Sequence, residues 1–403
     1  MKLFDVINVE RLNEQLTDFL EDALTVIQVD LADSLGYQLA EPIYAIEDTP
    51  TFYKSTVDGY AVMVQDTVGA SEALPSVLNY QGAIAIGEHN LQTLEAGGCL
   101  YLNTGAMLPA GANGVAMIEQ TEKIEGTNEV LVYRTLANHE NVTIPGSDMA
   151  KGQPLFGKGR HIDERVQSVL ASQGITEIKV FKKLEAVIVS SGNELIDYQS
   201  PARLGQIRDI NVFLIRGLLE KHGIVVKETF LIKDDLHTYR DLLKHNAADL
   251  YITSGGSSQG SEDYTYDVFH ELTNDVFCHG LAISPGKPTI VARKDQRLYL
   301  GLPGNPVSAY LVLKETFIAS YLTLINQEQA SVSAQLEHNL AGSPGKDRIV
   351  LVKLEKQTDG WSAHPIFYRS SNVLALSEAD GYFVIKAGLE GVNACDEVKV
   401  VLF

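Results

Sequence analysis

The sequence has few cysteines and no long apolar run, and both scarcities exclude classes of protein. Its three cysteines, Cys99, Cys278 and Cys395, are too few and too far apart for a disulfide framework or a cysteine-rich metal site. We therefore expect reduced, mostly buried thiols. No apolar stretch approaches the roughly 20 residues that cross a bilayer, and residues 1–6 lack the charged and apolar parts of a secretory signal. These absences predict a cytoplasmic protein that does not enter a membrane.

Positive charge is also scarce. The chain has 32 lysines and arginines against 52 acidic residues, a formal net charge of -20, without any long acidic block. Such a surface repels nucleic acid and anionic membranes, so neither is an expected partner. An anionic ligand would have to be held locally, by backbone amides, helix ends and a few cations.

The order of the predicted elements divides the chain into segments of different type, and its length allows two to four domains. Residues 8–24 have helical periodicity, whereas residues 62–145 consist of short β-type runs separated by glycines, which predicts a small β domain. From Leu184 strands and helices alternate, as in a parallel sheet covered by helices. After a polar linker at 327–330, residues 331–403 are rich in β-type runs and predict a barrel or sandwich.

Residues 249–264 predict a buried strand followed by a loop of small residues. The run 249–253 is apolar, β-branched and aromatic, and it ends at Ser254-Gly255-Gly256. Backbone amides of small residues can approach a ligand closely, and the carboxylates at 262–263 are suited to Mg²⁺. We expect an anion or a ribose to bind here.

Two further turns follow in the same stretch. Residues 285–287 end in a fixed cation, Lys287, and a second glycine turn at 303–305 opens a helix at about Val307. The N-terminal amides of that helix would favour an anion. Taken singly, each turn has an alternative interpretation as an ordinary connection in an α/β sheet.

Several carboxylates stand at turns. Glu194, Asp234 and Asp263 each follow a predicted strand, and ligands of open α/β sheets bind beyond the C-terminal strand ends. A cap at a helix start is the alternative for each, and it is left open for the pair Asp234 and Asp235. Asp58 precedes a glycine at a turn, where a hairpin aspartate that caps its own backbone is the alternative.

These motifs together resemble a known family. Residues 255–263, 285–288 and 302–309 are similar to the patterns GGxSxGxxD, PGKP and LPGNPVSA of the molybdopterin-binding domain in the molybdopterin molybdenumtransferases. This is the MoeA family, which includes the E domain of gephyrin. Residues 55–62 resemble its SxMDGYAV signature and residues 102–115 its TGAPLPxGADAVV segment. The resemblance extends over nearly the whole chain, in the family's motif order.

Five positions depart from the family pattern. Val57 stands in the place of methionine, Asn113 in that of aspartate, and Thr143 in that of an arginine. Ser261 replaces an acid, and Ser284 replaces a basic or amide residue. The last two lie in loops that the resemblance assigns to metal and phosphate.

The resemblance implies a multidomain α/β plus β fold. Its centre is an α/β molybdopterin-binding domain of the MoaB/Mog type with a parallel-rich sheet, joined by an inserted β domain, a helical and β stalk, and a C-terminal β barrel. The implied domains are the stalk at 1–46 and 141–180, the β insertion at 47–140, the α/β domain at 181–326, and the barrel at 327–403.

The implied activity is insertion of molybdate into adenylylated molybdopterin, with release of AMP, assisted by Mg²⁺. One alternative is a molybdopterin adenylyltransferase, which uses the same α/β domain but needs neither the β insertion nor the C-terminal domain. The other is a non-catalytic scaffold or pterin carrier of the same fold. The adenylyltransferase that supplies the substrate is an expected partner.

The resemblance and the residue types together give a set of candidate site residues. Those assigned to catalysis are Asp58, Glu194, Asp234, Asp263 and Lys287, of which Asp58, Glu194 and Asp263 are also the expected metal ligands. Those assigned to pterin, nucleotide or molybdate binding are Thr104, Asp148, Ser254, Gly255, Gly256, Ser258, Gly260, Pro285, Gly286, Pro303, Gly304, Asn305, Pro306 and Ser308.

An elongated homodimer is also implied. We expect the apolar face of the N-terminal helix to pack partly on a second subunit, because the stalk is too narrow to bury it. The side chains of that face are Val9, Leu12, Leu16, Phe19, Leu20 and Leu24. Such a dimer would bring Asp58 and Thr104 of one chain near the 254–263 loop of the other.

Overall fold

The structure, a computed structural model, describes residues 6–88, 92–255, 264–358 and 360–403. Contacts divide the chain into two compact units. The first contains the residues up to Glu41, Lys158–Asp163 and Glu177–Phe403, and the second contains Pro42–Gly157 and Glu164–Thr176. No helix of the described residues is long and apolar enough to cross a membrane.

Most helices lie in the first unit. The α-helices of the described residues are α1 (Val9–Ala23), α2 (Glu164–Ser172), α3 (Asn211–Lys221), α4 (Leu236–His245), α5 (Tyr264–Thr273), α6 (Pro306–Leu313), α7 (Ala319–Leu324) and α8 (Val373–Glu378). A π-helical turn, Lys314–Ile318, joins α6 to α7. Three-residue or four-residue 3₁₀ turns occupy Leu31–Asp33, Val64–Thr67 and Ile118–Gln120.

Helix α1 is buried against its own chain. The side chain of Asn8 accepts a hydrogen bond from the Arg11 N–H at 2.8 Å and caps the helix start. The apolar face Val9, Leu12, Leu16, Phe19 and Leu20 is buried in one core with the helical segment from α6 to α7. The prediction that this face packs on a second subunit is therefore wrong. No local sequence pattern indicates the helical segment that covers this face, because it lies about 300 residues further along the chain.

Twelve strands lie before the α/β sheet. They are β1 (Val26–Asp30), β2 (Ile43–Tyr44), β3 (Lys54–Ser55), β4 (Gly59–Val62), β5 (Ser76–Ile84), β6 (Gly98–Leu102), β7 (Gly114–Met117), β8 (Thr121–Lys123), β9 (Glu129–Val132), β10 (Val142–Thr143), β11 (Pro154–Phe156) and β12 (Glu177–Phe181). In the second unit six of them form one sheet in the order β7-β4-β6-β5-β9-β8, and the short pairs β3–β10 and β2–β11 connect its entering and returning segments. In the first unit β1 pairs antiparallel with β12.

The α/β region of the first unit is built on a six-stranded sheet. The strands of this region are β13 (Glu185–Ser191), β14 (Leu195–Ile196), β15 (Ile207–Arg208), β16 (Val225–Ile232), β17 (Leu250–Ser254), β18 (Val276–His279), β19 (Ile283–Ser284), β20 (Ile290–Lys294) and β21 (Arg297–Leu302). The sheet order is β16-β13-β17-β21-β20-β18, with the first four strands parallel. Helices α3 and α6 cover one face, and α4 and α5 cover the other. Four carboxyl ends therefore meet at one edge of the sheet.

The C-terminal strands close into a barrel. They are β22 (Ser331–Leu336), β23 (Leu340–Ala341), β24 (Asp347–Gln357), β25 (Gly360–Pro365), β26 (Gly381–Ile385), β27 (Gly391–Val392) and β28 (Glu397–Leu402). The pairing β24-β25-β22-β28-β26 returns to β24, which makes a closed five-stranded barrel. Strand β19 adds to β24 in parallel, so the barrel is joined to the connection between β18 and β20 of the α/β sheet. The predicted fold class is confirmed.

We predict that Leu16→Ala lowers the free energy of unfolding by about 2–5 kcal/mol, because a fully buried side chain leaves a cavity. Leu35→Ala is the matched control, since Leu35 is 50% exposed and its truncation should cost less than about 0.5 kcal/mol. Denaturant unfolding at several protein concentrations measures both. Two equal losses, or a loss for Leu16→Ala that disappears at high protein concentration, would contradict the burial of α1 within its own chain.

Candidate active site

The turn after β17 approaches the end of β13 so closely that only glycine fits. Gly255 has φ +96°, and a Cβ built on it would lie 2.1 Å from the carbonyl oxygen of Ser191. Any side chain would clash with that backbone. The small residue predicted here is thus required by the packing of two neighbouring strand ends.

The second glycine turn lies beside the first. A Cβ built on Gly304 would lie 3.6 Å from the Cα of Gly255, so the two backbones are less than one side chain apart. Asn305 then caps α6 without a side-chain hydrogen bond, and Pro306 occupies its first turn. The Val307 N–H donates to the Ser370 carbonyl at 3.2 Å. One amide of this helix end is therefore already hydrogen-bonded within the chain. This reduces the number of N–H donors left for the anion that the sequence predicts there.

Asn211, at the start of α3, connects the two turns. Its side-chain amide donates to Ser254 Oγ at 3.1 Å and to the Gly304 carbonyl at 2.8 Å. Asn211 and Ser254 are both buried. No local sequence motif marks Asn211, because its two hydrogen-bond partners come from separate turns.

The carboxylates after β13 and β16 belong to two loops that are hydrogen-bonded to each other. Asp234 accepts a hydrogen bond from the Asn193 N–H at 3.3 Å, and Lys233 Nζ donates to the carbonyls of Asn193 and Leu195 at 2.9 and 2.8 Å. Glu194 is exposed, and its carboxylate lies beside Gly192, whose built Cβ would be 2.9 Å from Oε1. These carboxylates are held at the predicted edge.

Asp235 has a different role from Asp234. Its carboxylate accepts from the Thr238 hydroxyl and from the Thr238 N–H, the latter at 2.8 Å. These two hydrogen bonds, the hydroxyl one first, lower the pKa of Asp235, and the carboxylate caps α4. The cap interpretation thus applies to Asp235. Asp234 and Asp235 both line a small cavity of about 10 Å³, which has room for about one water molecule. Asp234 differs in that its carboxylate accepts from the neighbouring loop and does not cap α4.

The proline-glycine-lysine turn is fixed by its backbone. Gly286 has φ +127°, and a Cβ there would lie 2.3 Å from Val312 on α6. The Lys287 carbonyl accepts from the N–H groups of Leu281 and Thr289 at 2.9 and 2.8 Å, while the Lys287 side chain is exposed. The turn thus presents a lysine from a rigid backbone.

A cavity of about 350 Å³ lies between this turn and the barrel. Its lining includes Ser284 and Pro285 from the turn and Arg348, Tyr368 and Ser370 from the barrel region. Burial raises the pKa of Tyr368 to about 12, so its hydroxyl stays protonated, and it donates to the Ile349 carbonyl at 3.3 Å. The cavity therefore combines a guanidinium with hydroxyl groups, a set suited to an oxyanion.

Asp58 and Thr104 meet in the second unit. The Asp58 carboxylate accepts from the Thr104 N–H at 2.6 Å and from its hydroxyl at 2.9 Å. These hydrogen bonds, the backbone one first, lower the pKa of Asp58. Asp58 therefore does not merely cap its own turn. Gly59 is required next to it, because a Cβ would lie 2.0 Å from the Ala116 carbonyl.

The remaining predicted residues divide into three groups. Asp148 is exposed in the second unit, where its N–H donates to the Thr49 carbonyl at 3.0 Å. Pro303 and Ser308 are buried, and neither lines the cavity beside the lysine turn. The others, among them one expected metal ligand, lie outside the described residues: Gly256, Ser258, Gly260 and Asp263.

Within the described ranges no group of three or more histidine, cysteine or acidic side chains could hold a metal ion. Glu194 and Asp234 are nevertheless oxygen donors of the kind that Mg²⁺ prefers. Magnesium commonly binds to one or two carboxylates and completes its shell with water and substrate phosphates. Glu194 and Asp234 therefore fit a Mg²⁺ ion that is held partly by water and substrate, and not one that is enclosed entirely by protein ligands.

The chain was compared with known families and proteins. Three family models match it in series: the MoeA N-terminal region (domains I and II) over residues 7–174, a probable molybdopterin-binding domain over 187–323, and the MoeA C-terminal region (domain IV) over 333–403. A putative molybdopterin biosynthesis protein of Methanocaldococcus jannaschii is 32% identical over 400 residues, 96% of this chain and 95% of that protein. The chain belongs to the MoeA family.

Other relatives agree with this assignment. A molybdopterin molybdenumtransferase of Staphylococcus aureus is 30% identical over 392 residues, 95% of this chain and 92% of that protein. A solved structure of a MoeA molybdopterin biosynthesis protein from Pyrococcus horikoshii is 32% identical, with a TM-score of 0.84 and 99% coverage of both chains. The MoeA family thus belongs to molybdenum cofactor biosynthesis and includes proteins named molybdopterin molybdenumtransferase. The resemblance inferred from the sequence is confirmed.

For this MoeA chain the structure adds site residues that the motifs did not reveal. Asn211 lies outside the glycine turns that it connects. Arg348, Tyr368 and Ser370 come from the barrel region, more than 60 residues after the lysine turn that they face. The pairing of β19 with β24 helps to bring these segments together, and no local sequence pattern predicts it.

We predict that Thr104→Val raises the pKa of Asp58, because it removes the hydroxyl that hydrogen-bonds the charged carboxylate. The Thr104 N–H remains, so the lowering should be relieved only in part. A carbon-13 NMR titration of the Asp58 carboxyl measures the shift. Thr127→Val, which removes a hydroxyl bonded to the Ile124 carbonyl elsewhere in the unit, is the control. An Asp58 pKa equal in both variants would contradict this role of Thr104.

Proposed function

We propose that this chain inserts molybdate into adenylylated molybdopterin and releases AMP, with Mg²⁺ as the assisting ion. The observation that carries the proposal is the close approach of the two glycine turns, at Gly255 and Gly304, at the carboxyl edge of the parallel sheet. Family membership supports the pterin and molybdenum chemistry. The adenylylated form of the substrate, the AMP and the ion are the proposed part.

The glycine turns supply what a phosphate-phosphate linkage needs. Their backbone can approach a ligand without side chains in the way, and amide groups at such turns are donors to phosphate oxygens. Local donors matter in this chain because its net charge of -20 opposes the binding of any anion. The substrate would therefore be held by short-range hydrogen bonds.

Cleavage of the linkage requires charge to be neutralised on the phosphate oxygens. Glu194 and Asp234 are the described residues of the first unit that would hold Mg²⁺ at this edge. Asp263 and, from a second subunit, Asp58 are added to the proposal by the sequence. When bound, the ion would polarise a phosphoryl oxygen. The chain's own contribution is to orient Asp234, through the hydrogen bond donated by the Asn193 N–H.

Molybdate is assigned to the cavity beside the lysine turn. Its volume of about 350 Å³ exceeds that of a tetrahedral oxyanion, and the lining includes the Arg348 guanidinium and Ser370. Arg348 also donates to the Ala341 carbonyl, which fixes its position. Lys287 belongs to the same turn as the cavity residues Ser284 and Pro285. In this proposal the cavity holds the molybdate, and Ser308, a binding candidate from the sequence, is buried in α6 and does not line it.

The test is a reaction with defined components. Purified protein is mixed with adenylylated molybdopterin, Mg²⁺ and molybdate, and AMP and molybdenum cofactor are measured. Release of AMP together with cofactor formation supports the proposal. Formation of the adenylate from ATP and molybdopterin would indicate an adenylyltransferase instead, and binding without turnover would indicate a carrier or scaffold.

A homodimer that interacts with the adenylyltransferase supplying its substrate is part of the proposal. Its support is the family resemblance, since the apolar face of α1 is used within the chain. Light scattering at micromolar concentration tests the dimer, and a monomer would refute it. Recovery of activity on mixing inactive Asp58→Ala and Asp234→Ala chains would support a site shared between subunits, and no recovery would count against it.

We predict that Arg348→Ala raises the KM for molybdate about 10-fold to 100-fold, the equivalent of losing one or two hydrogen bonds from a charged group. The KM for adenylylated molybdopterin should change less than about twofold. Steady-state kinetics with each substrate varied in turn separates the two effects.

Arg293→Ala is the matched control for this experiment, because Arg293 pairs with the exposed Asp275 on another part of the domain. Its kinetic constants should stay at wild-type values. If Arg348→Ala leaves the molybdate KM unchanged, or raises both KM values equally, the cavity is not the molybdate site.

A further inference from the structure

A buried polar layer lies where the apolar core ends at the carboxyl edge of the sheet. Ile188 and Ile252 belong to the core under α3 and α6, and the strand period of two places Ser190 and Ser254 on the same face, paired in register. Both serines and Asn211 are at least nine-tenths buried. Polar side chains in such a position are costly unless they are hydrogen-bonded.

The hydrogen bonds of this layer run to the two glycine turns. The Nδ2 group of Asn211 uses its two hydrogens on Ser254 Oγ, at 3.1 Å, and on the Gly304 carbonyl, at 2.8 Å. Its Oδ1 is buried and has no hydrogen-bond partner in the described residues. The hydroxyl of Ser190 is likewise buried there without a partner. The layer is therefore incompletely satisfied within the described chain, and a purely structural role would be served better by an apolar side chain.

The backbone of Asn211 is held firmly. Asp209 Oδ1 accepts from the N–H groups of Asn211 and Val212 at 3.1 and 3.5 Å, and the Asp209 N–H donates to the Ile196 carbonyl at 2.9 Å. Asp209 is itself buried. The side-chain amide thus projects from a fixed helix start, and the bonds that it makes determine where the turns lie.

We propose that Asn211 is a positioning residue for the phosphate-bearing substrate, because its side-chain amide sets the separation of the turns at Ser254-Gly255 and at Gly304. This inference rests on the proposed function. The close approach of Gly255 and Gly304 involves no directed interaction between the two turns. Two directed hydrogen bonds from one rigid group fix both turns at once. A loop displacement of about 1 Å is enough to impair such a site.

The first variant is Asn211→Ala, which removes both hydrogen bonds. We expect the Kd for AMP, measured by titration calorimetry with Mg²⁺, and the KM for adenylylated molybdopterin each to rise at least about tenfold. The effect on kcat should be smaller. Asn246→Ala is the matched control, since its amide donates to the Leu242 carbonyl at 2.9 Å at the end of α4, near the opposite edge of the sheet.

The second variant is Asn211→Asp, which keeps the shape of the side chain. At neutral pH its carboxylate would face the Gly304 carbonyl and the anionic ligand without a hydrogen to donate, so the loss of AMP affinity should exceed that of Asn211→Ala. Protonation restores one donor and removes the charge. The loss relative to wild type should therefore shrink as the pH is lowered, whereas the loss in Asn211→Ala should not.

The outcomes separate this inference from the proposed function. A wild-type chain that binds AMP without cofactor formation, with binding weakened by Asn211→Ala, would refute the proposed reaction and support the positioning role. Wild-type activity with unchanged Kd and KM in Asn211→Ala would overturn the positioning role alone. The positioning role would also be overturned if Asn211→Ala and Asn246→Ala lost Tm and AMP affinity to the same extent. The same holds if both Asn211 variants showed the same pH dependence. A wild-type chain that binds no AMP overturns both.

Discussion

The close approach of Gly255 to the Ser191 carbonyl constrains the whole carboxyl edge of the α/β sheet. A Cβ at this position would lie 2.1 Å from that oxygen, so the first turn can rest on the neighbouring strand end only as glycine. The second turn lies beside the first at Gly304, and the side-chain amide of Asn211 donates hydrogen bonds to both turns. Every proposed role at this edge depends on that geometry, because backbone amides bind phosphate only where no side chain intervenes.

The negative net charge of the chain makes these short-range donors important for binding an anion. A net charge of -20 makes long-range attraction of a phosphate or molybdate unavailable. The proposed binding therefore relies on short-range groups in two positions: the glycine turns at the sheet edge, and the cavity with Arg348 beside the lysine turn. The pairing of β19 with β24 connects the second position to the barrel, which gives the C-terminal strands a part in the proposed site.

Local sequence patterns were sufficient where the constraint itself is local. The glycine turns, the positions of Glu194 and Asp234 after their strands, and the strand-rich C-terminal segment all follow from short stretches of sequence. Asn211 and Arg348 were not predictable in this way, because their roles arise from contacts with segments far along the chain. The same reason explains the error on α1, whose apolar face is covered by the helix after residue 306 instead of by a second subunit. The assignments to Gly256, Ser258, Gly260 and Asp263 remain predictions, since they lie outside the described residues.

The most direct test of the account is a crystal structure of the protein with AMP and Mg²⁺ bound. We expect the phosphate to lie against the turns at Gly255 and Gly304, with the ion near Glu194 and Asp234 and with the Asn211 bonds to Ser254 and Gly304 intact. A nucleotide bound away from these turns, or turns that separate and lose the Asn211 bonds when it binds, would contradict the account.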